Sequence, residues 1–130
     1  MGEEILSGKR VLVVEDEMLV LMAIEDILSD LGCTSITVAG DVETALNCIK
    51  SDMFDLATLD VNLHGTRSYP VAQALEDSCI PFAFATGYGD HGVDEGYGER
   101  PVLNKPFTLF QFKEIVSRLL AKPPPSSLAA

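Results

Sequence analysis

Three short apolar runs, each closed by a group suited to chemistry, constrain this chain more than any other feature. Val11-Leu12-Val13-Val14 ends on Glu15-Asp16, Leu56-Ala57-Thr58-Leu59 ends on Asp60, and the Phe-rich strand expected from Ile80 ends on Thr86 and is closed by Gly87. Runs of this length, without polar alternation, read as strands buried on both faces, as in a parallel sheet sandwiched between helices. In such a sheet the carboxyl ends of all strands share one rim, and open α/β sheets keep their sites there.

The segments between the runs supply the helices. Met18 to Leu31 carries apolar residues at positions 18, 21, 22, 24, 28 and 31, close to helical spacing, with Gly32 as a stop. Asp16 or Glu17 near its first turn suits the positive end of that helix. Thr34 to Ala39 alternates through Ile36 and Val38, which predicts a strand nearer the sheet edge. Asp41 is an N-cap candidate for a helix to about Lys50 with Val42, Ala45, Leu46 and Ile49 on one face. After Asp60, Val61 to Arg67 is expected to be a loop, and Tyr69 to Asp77 a short helix with Pro70 in its first turn. Pro101 to Leu103 predicts a brief fifth strand. Thr108 would cap a last helix through Leu120, with Phe112, Ile115, Val116, Leu119 and Leu120 inward. The alternation implies right-handed crossovers and a parallel sheet.

One crossover lacks a helical pattern. Gly87 to Arg100 holds five glycines and four acids. Each glycine in a helix interior costs about 1 kcal/mol relative to alanine, and little apolar surface is there to offset it. A flexible Gly-rich loop is expected where the fourth helix would stand, and loops of that length usually have a function or are disordered.

Composition narrows the setting. A chain of 130 residues with 47% hydrophobic residues can bury a single packed core. Its net charge of −11 repels nucleic acid and anionic membrane, and its nine Lys and Arg form no basic patch. Cys33, Cys48 and Cys79 have no metal-like spacing and read as reduced thiols. Residues 1–8 show no apolar signal region, and no run approaches the ~20 residues of a membrane span. A soluble cytoplasmic domain over residues 9–121 is expected, with an N-terminal extension (1–8) and a flexible Pro-rich tail (122–130).

The shared rim gathers Glu15, Asp16, Asp60, Thr86 and Lys105. Like charges at ~4 Å and an effective dielectric near 20 repel by on the order of 4 kcal/mol per pair, so three converging carboxylates call for a cation. An all-oxygen set suits Mg²⁺ better than a transition metal. Lys105 adds a point charge and Thr86 a hydroxyl, both fitted to phosphoryl oxygens. Taken singly, each has a plain explanation: Asp60 a solvated turn acid, Glu15-Asp16 helix-start acids, Lys105 a surface lysine, Thr86 a turn cap. Their coincidence is what carries the signal. His64 and His91 read as solvated loop residues.

Two other chemistries fail on spacing. Gly87-Tyr88-Gly89-Asp90-His91-Gly92 fits the dinucleotide fingerprint, but Gly96, Gly98 and Pro101 forbid the helix that must follow, and Phe107 and Thr108 stand where the ribose-binding acid belongs. An aspartyl-phosphate phosphatase of the haloacid dehalogenase kind needs a second acid where Asp60-Val61-Asn62 has an amide.

These positions, in this order, resemble the receiver domain of bacterial two-component response regulators over residues 9 to 121. The resemblance implies a flavodoxin-like, five-stranded parallel sheet in the order 2-1-3-4-5 with helices on both faces. It implies that Asp60 accepts a phosphoryl group from the phosphohistidine of a histidine kinase. Asp16, Asp60 and the backbone carbonyl of Asn62 would hold Mg²⁺, with Glu15 acting through water. Lys105 would pair with the phosphoryl oxygens, Thr86 would hydrogen-bond one of them, and the Lys105-Pro106 bond would be cis. On this reading the chain is no enzyme in its own right, only an acceptor with intrinsic self-phosphorylation and autodephosphorylation chemistry.

Pro81-Phe82-Ala83-Phe84-Ala85-Thr86-Gly87-Tyr88 resembles the PFxFATGY signature of receivers associated with HWE-class histidine kinases. The family's switch aromatic, three residues before the lysine, is replaced by Val102, and Glu15 stands for the commoner Asp. Output is therefore expected through ordering of Gly87 to Arg100, with Tyr88 taking part. The tail is too short for an output module, so partners should be proteins: the kinase, a histidine phosphotransfer protein or a downstream effector. A phosphate sink, a relay intermediate and an unphosphorylated docking module are the alternatives. A monomer is expected, because no apolar stripe is left over.

Overall fold

The computed structural model describes residues 4–86, 102–104 and 107–121, with Thr86 and Asn104 described by backbone alone. Among these residues, seven strands and four helices follow in the order β1 (Arg10–Val14), α1 (Met18–Asp30), β2 (Ser35–Ala39), α2 (Val42–Ser51), β3 (Leu56–Asp60), β4 (Asn62–Leu63), β5 (Thr66–Arg67), α3 (Tyr69–Asp77), β6 (Phe82–Thr86), β7 (Val102–Asn104) and α4 (Leu109–Ala121). Five of the strands form one parallel sheet in the order β2-β1-β3-β6-β7. This is the flavodoxin-like order expected from the sequence, and β2 lies at the edge as its alternation implied.

Strand periodicity divides the core into two layers. Leu12, Val14, Ala57, Leu59, Phe82 and Phe84 join α2 and α3 in one apolar cluster. Val11, Val13, Leu56, Ala83 and Leu103 join α1 and α4 in the other. The Phe-Ala alternation of β6 thus puts bulk on the α2/α3 face, where Phe82 and Phe84 meet edge to face at 5.3 Å, and leaves small residues on the α1/α4 face. Each fully buried Leu or Phe contributes about 1.5–3 kcal/mol by leaving water.

The helix ends follow their sequence signals. Thr44 N–H donates to Asp41 Oδ1 at 2.7 Å, which caps α2. Thr108 and Gln111 form a reciprocal capping box at the start of α4: Gln111 N–H donates to Thr108 Oγ1 at 3.1 Å and Thr108 N–H to Gln111 Oε1 at 2.9 Å. Gly32, with φ +89°, ends α1. A Cβ there would lie 2.7 Å from the Glu4 Cβ, so both its conformation and its neighbour require glycine.

Three expectations are corrected. Residues 61–67 are not a plain loop: β4 and β5 pair antiparallel around His64-Gly65, both at positive φ, the backbone of a tight hairpin turn. The packed domain begins before Lys9, because Leu6 is fully buried in the α1/α4 cluster and its N–H donates to the Leu31 carbonyl at 2.9 Å. An apolar stripe is left over, since Met18, Leu19 and Met22 of α1 are more than half exposed; the stated ground for a monomer is therefore gone. The expected Gly87–Arg100 loop, the Lys105-Pro106 bond and the tail lie outside the described residues.

Two predictions concern this frame. The Thr44 amide holds the Asp41 carboxyl below its ordinary range, so its capping contribution is present above that range and is lost as pH falls through the lowered value. Asp41→Ala should lower the thermal midpoint at neutral pH, with the deficit closing in acid. Thr58 is 2% exposed and its Oγ1 has no hydrogen-bond partner among the described residues. Thr58→Val should therefore stabilise the fold by about 1 kcal/mol, read as a raised midpoint in chemical denaturation.

Candidate functional site

Strand register brings the predicted acids together. Val14 pairs with Leu59, so Glu15 and Asp60 continue from neighbouring strands at the carboxyl rim, and Asp16 follows directly. Glu15, Asp16 and Asp60 each offer an oxygen, and these atoms lie within 4.8 Å of one another. The site is sunk in the rim: Glu15 is 2% and Asp60 4% exposed, and the Asp16 side chain is 14% exposed. Ala85, the register partner of Asp60 on β6, is small and leaves the space beside Asp60 uncrowded.

Main-chain amides orient the three carboxylates. Glu17 N–H donates to Glu15 Oε2 at 3.2 Å, and Asn62 N–H to Asp60 Oδ1 at 3.2 Å. His64 N–H donates to Asp16 Oδ2 at 2.9 Å. Ser68, fully buried, donates from Oγ to the Asp60 carbonyl, and this leaves α3 without a side-chain cap at that position. The sequence reading missed Ser68 and judged His64 solvated. Its imidazole is indeed 70% exposed with Nδ1 3.4 Å from Asp16 Oδ2, but the main chain of His64 is part of the site. The His-Gly dipeptide between Leu63 and Thr66 was the available turn signal.

The remaining predicted residues are placed in part. Thr86 closes β6 opposite Asn104, on the same rim. Val102 pairs with Phe84 and packs, half-buried, on the α2/α3 cluster. Lys105 and Tyr88 lie outside the described residues.

The donor set fits a hard divalent cation. It consists of carboxylate oxygens, and the Asn62 Oδ1 is buried without a hydrogen-bond partner among the described residues, as suits an acceptor for a metal-bound water. At these separations each like-charge pair repels by on the order of 3 kcal/mol at an effective dielectric near 20.

Comparison with known proteins agrees with this geometry. The response regulator receiver domain family matches residues 11–117. The chain belongs to that family. A probable transcriptional regulator ycf27 of Guillardia theta is 33% identical over 121 residues, covering 88% of this chain and 45% of the relative. The chain thus spans about half the length of the curated relatives it matches. The solution structure of SdrG from Sphingomonas melonis Fr1 is 43% identical with a TM-score of 0.80, covering 86% of this chain and 96% of SdrG. The receiver domain of the sensor histidine kinase PA1611 from Pseudomonas aeruginosa PAO1, solved with a magnesium ion in its active-site cleft, has a TM-score of 0.76 at 22% identity, covering 88% of this chain and 98% of that domain. At that identity it supports the fold alone.

Replacing one acid tests the repulsion directly. In EDTA, Asp60→Asn should raise the thermal midpoint by roughly 4 °C or more. Saturating Mg²⁺ should stabilise wild type by mass action and stabilise Asp16→Asn less, as differential scanning calorimetry would read.

Proposed function

We propose that this receiver accepts a phosphoryl group on Asp60 from the phosphohistidine of a histidine kinase of the HWE class, with Mg²⁺ bound by Asp16, Asp60 and the Asn62 carbonyl and by Glu15 through water. The convergence of Glu15, Asp16 and Asp60 within 4.8 Å at one rim carries the reading. In the transfer, a carboxylate oxygen of Asp60 forms a bond to phosphorus as the phosphorus–nitrogen bond breaks. The electron pair stays on the imidazole of the donor, which then takes up a proton. Bound Mg²⁺ would supply positive charge where the transferring oxygens gather it. The chain's own contribution is positional: Asn62 N–H fixes Asp60 Oδ1, Ser68 holds the acceptor's main chain, and Thr86 and Lys105 are assigned to the phosphoryl oxygens.

The apolar residues around the rim support a protein donor. Leu19 is 81% and Phe110 72% exposed, and they lie in the first turns of α1 and α4, the helices that share one face of the sheet. Such residues flanking an acidic cleft suit a partner that presents a helix surface together with its phosphohistidine. The Pro81 to Tyr88 segment supports the HWE assignment. With Val102 half-buried beside Phe84, the coupling from threonine to an inward-turning aromatic lacks its second member, which favours output through residues 87–100 and Tyr88.

Incubation with Mg²⁺ and a small phosphodonor should add one acid-stable, alkali-labile phosphate to wild type and none to Asp60→Asn. Phosphotransfer profiling should favour HWE-class kinases over ordinary ones. Leu19→Glu should slow transfer from the kinase several-fold while leaving the small donor's rate intact. An adduct persisting in Asp60→Asn would move the acceptor elsewhere.

A further inference from the structure

Each of the three carboxylates has one oxygen engaged by a main-chain amide, but the amides differ in origin. Those on Glu15 and Asp60 come from two residues further along the same segment. The amide on Asp16 comes from His64, 48 positions away, at the tip of the β4–β5 hairpin. Asp16 lies beyond Val14 and Leu59, the last β1–β3 register pair, so the ladder does not orient it. The hairpin does. Its base is tied to the acceptor strand by Ser68, which donates from N–H to the Val61 carbonyl at 2.9 Å and from Oγ to the Asp60 carbonyl. Leu63, 2% exposed, anchors its first strand in the core. Consecutive left-handed residues, His64 at φ 51° and Gly65 at φ 84°, turn the tip back toward β1.

We propose that the hairpin tip fixes the orientation of Asp16 through the His64 amide on Oδ2, so that Asp16 favours giving a cation a single oxygen, and that this hold makes the site select a small octahedral cation over a larger one. The inference rests on the Mg²⁺ reading above and deepens it. Mg²⁺ takes six ligands at short, near-ideal geometry, whereas Ca²⁺ readily takes both oxygens of a carboxylate and expands its shell. The Oδ2 that accepts the His64 amide keeps a second lone pair, but the amide fixes the rotation of the carboxylate, and turning it to present both oxygens to one cation would strain that bond. His64 acts here as a positioning residue through its main chain. Its exposed imidazole, 3.4 Å from the same oxygen, is screened by solvent and adds little.

The test uses the full chain titrated with MgCl₂ and separately with CaCl₂, following amide chemical shifts. A Cβ on Gly65 meets nothing within 4 Å, so substitutions there differ only in whether they tolerate the left-handed backbone. Gly65→Asn, which tolerates it, should keep the wild-type preference for Mg²⁺ over Ca²⁺. Gly65→Val, which does not, should reduce that preference about tenfold. A folded Gly65→Val with the wild-type ratio overturns the proposal. Should Gly65→Val not fold, hydrogen exchange at the His64 amide of wild type decides. Protection retained under saturating Mg²⁺ supports the hold, and protection lost on loading overturns it. A wild type that binds neither cation removes the metal reading and this inference together, whereas Mg²⁺ binding with an unchanged ratio removes the hairpin's role alone.

Discussion

Mutual repulsion among Glu15, Asp16 and Asp60 is the constraint on which the rest of the rim depends. Carboxylates left free to rotate would turn apart. Here they are kept within 4.8 Å because two are nearly buried and all three are gripped by amides. The strain is electrostatic, and it is the form of strain that a cation relieves. A parallel sheet is well suited to holding it, because adjacent strand ends fix the main chains of Glu15 and Asp60, while Asp16, beyond the ladder, is held by the His64 amide.

The two core layers do different work for this rim. On the α2/α3 side, Phe82 and Phe84 pack edge to face, and Tyr69 reaches Phe84 at 6.0 Å. That bulk fixes β6 beside β3. On the α1/α4 side, Ala83 and Ala85 accompany Thr58 and Asp60 in register, and the small side chains leave room beside Asp60. The alternation inside Phe82 to Ala85 is thus both a packing pattern and a clearance pattern. It explains why a segment that resembles a family signature is also half of a core.

Much of this was legible in the sequence because it depends on short-range rules. The apolar runs specified β1, β3 and β6, the capping residues Asp41 and Thr108 specified helix starts, and the rim shared by the strand ends implied that Glu15, Asp16 and Asp60 converge. What escaped depends on contacts without a local pattern. Ile5-Leu6 is an apolar pair too short to show a period, and only the burial of Leu6 and its bond to the Leu31 carbonyl reveal a core position. Ser68 precedes Tyr69-Pro70 and looks like a helix cap, yet its hydroxyl bonds the Asp60 carbonyl instead. Met18 and Met22 fitted the helical spacing, yet they lie exposed beside Leu19 instead of facing inward.

His64 marks the limit of reading residues by side chain. As an imidazole it is an exposed loop residue, and the expectation that it is solvated was sound for that group. Its function here comes from the main-chain N–H, which every residue except proline carries. No residue type could have announced it. The sequence signal lay instead in Gly65, which permits the left-handed turn, and in Leu63, which anchors the strand leading to it. The orientation of Asp16 is therefore written in the turn chemistry of a segment 48 positions away. A substitution at Gly65 would alter the site while leaving every candidate ligand in place.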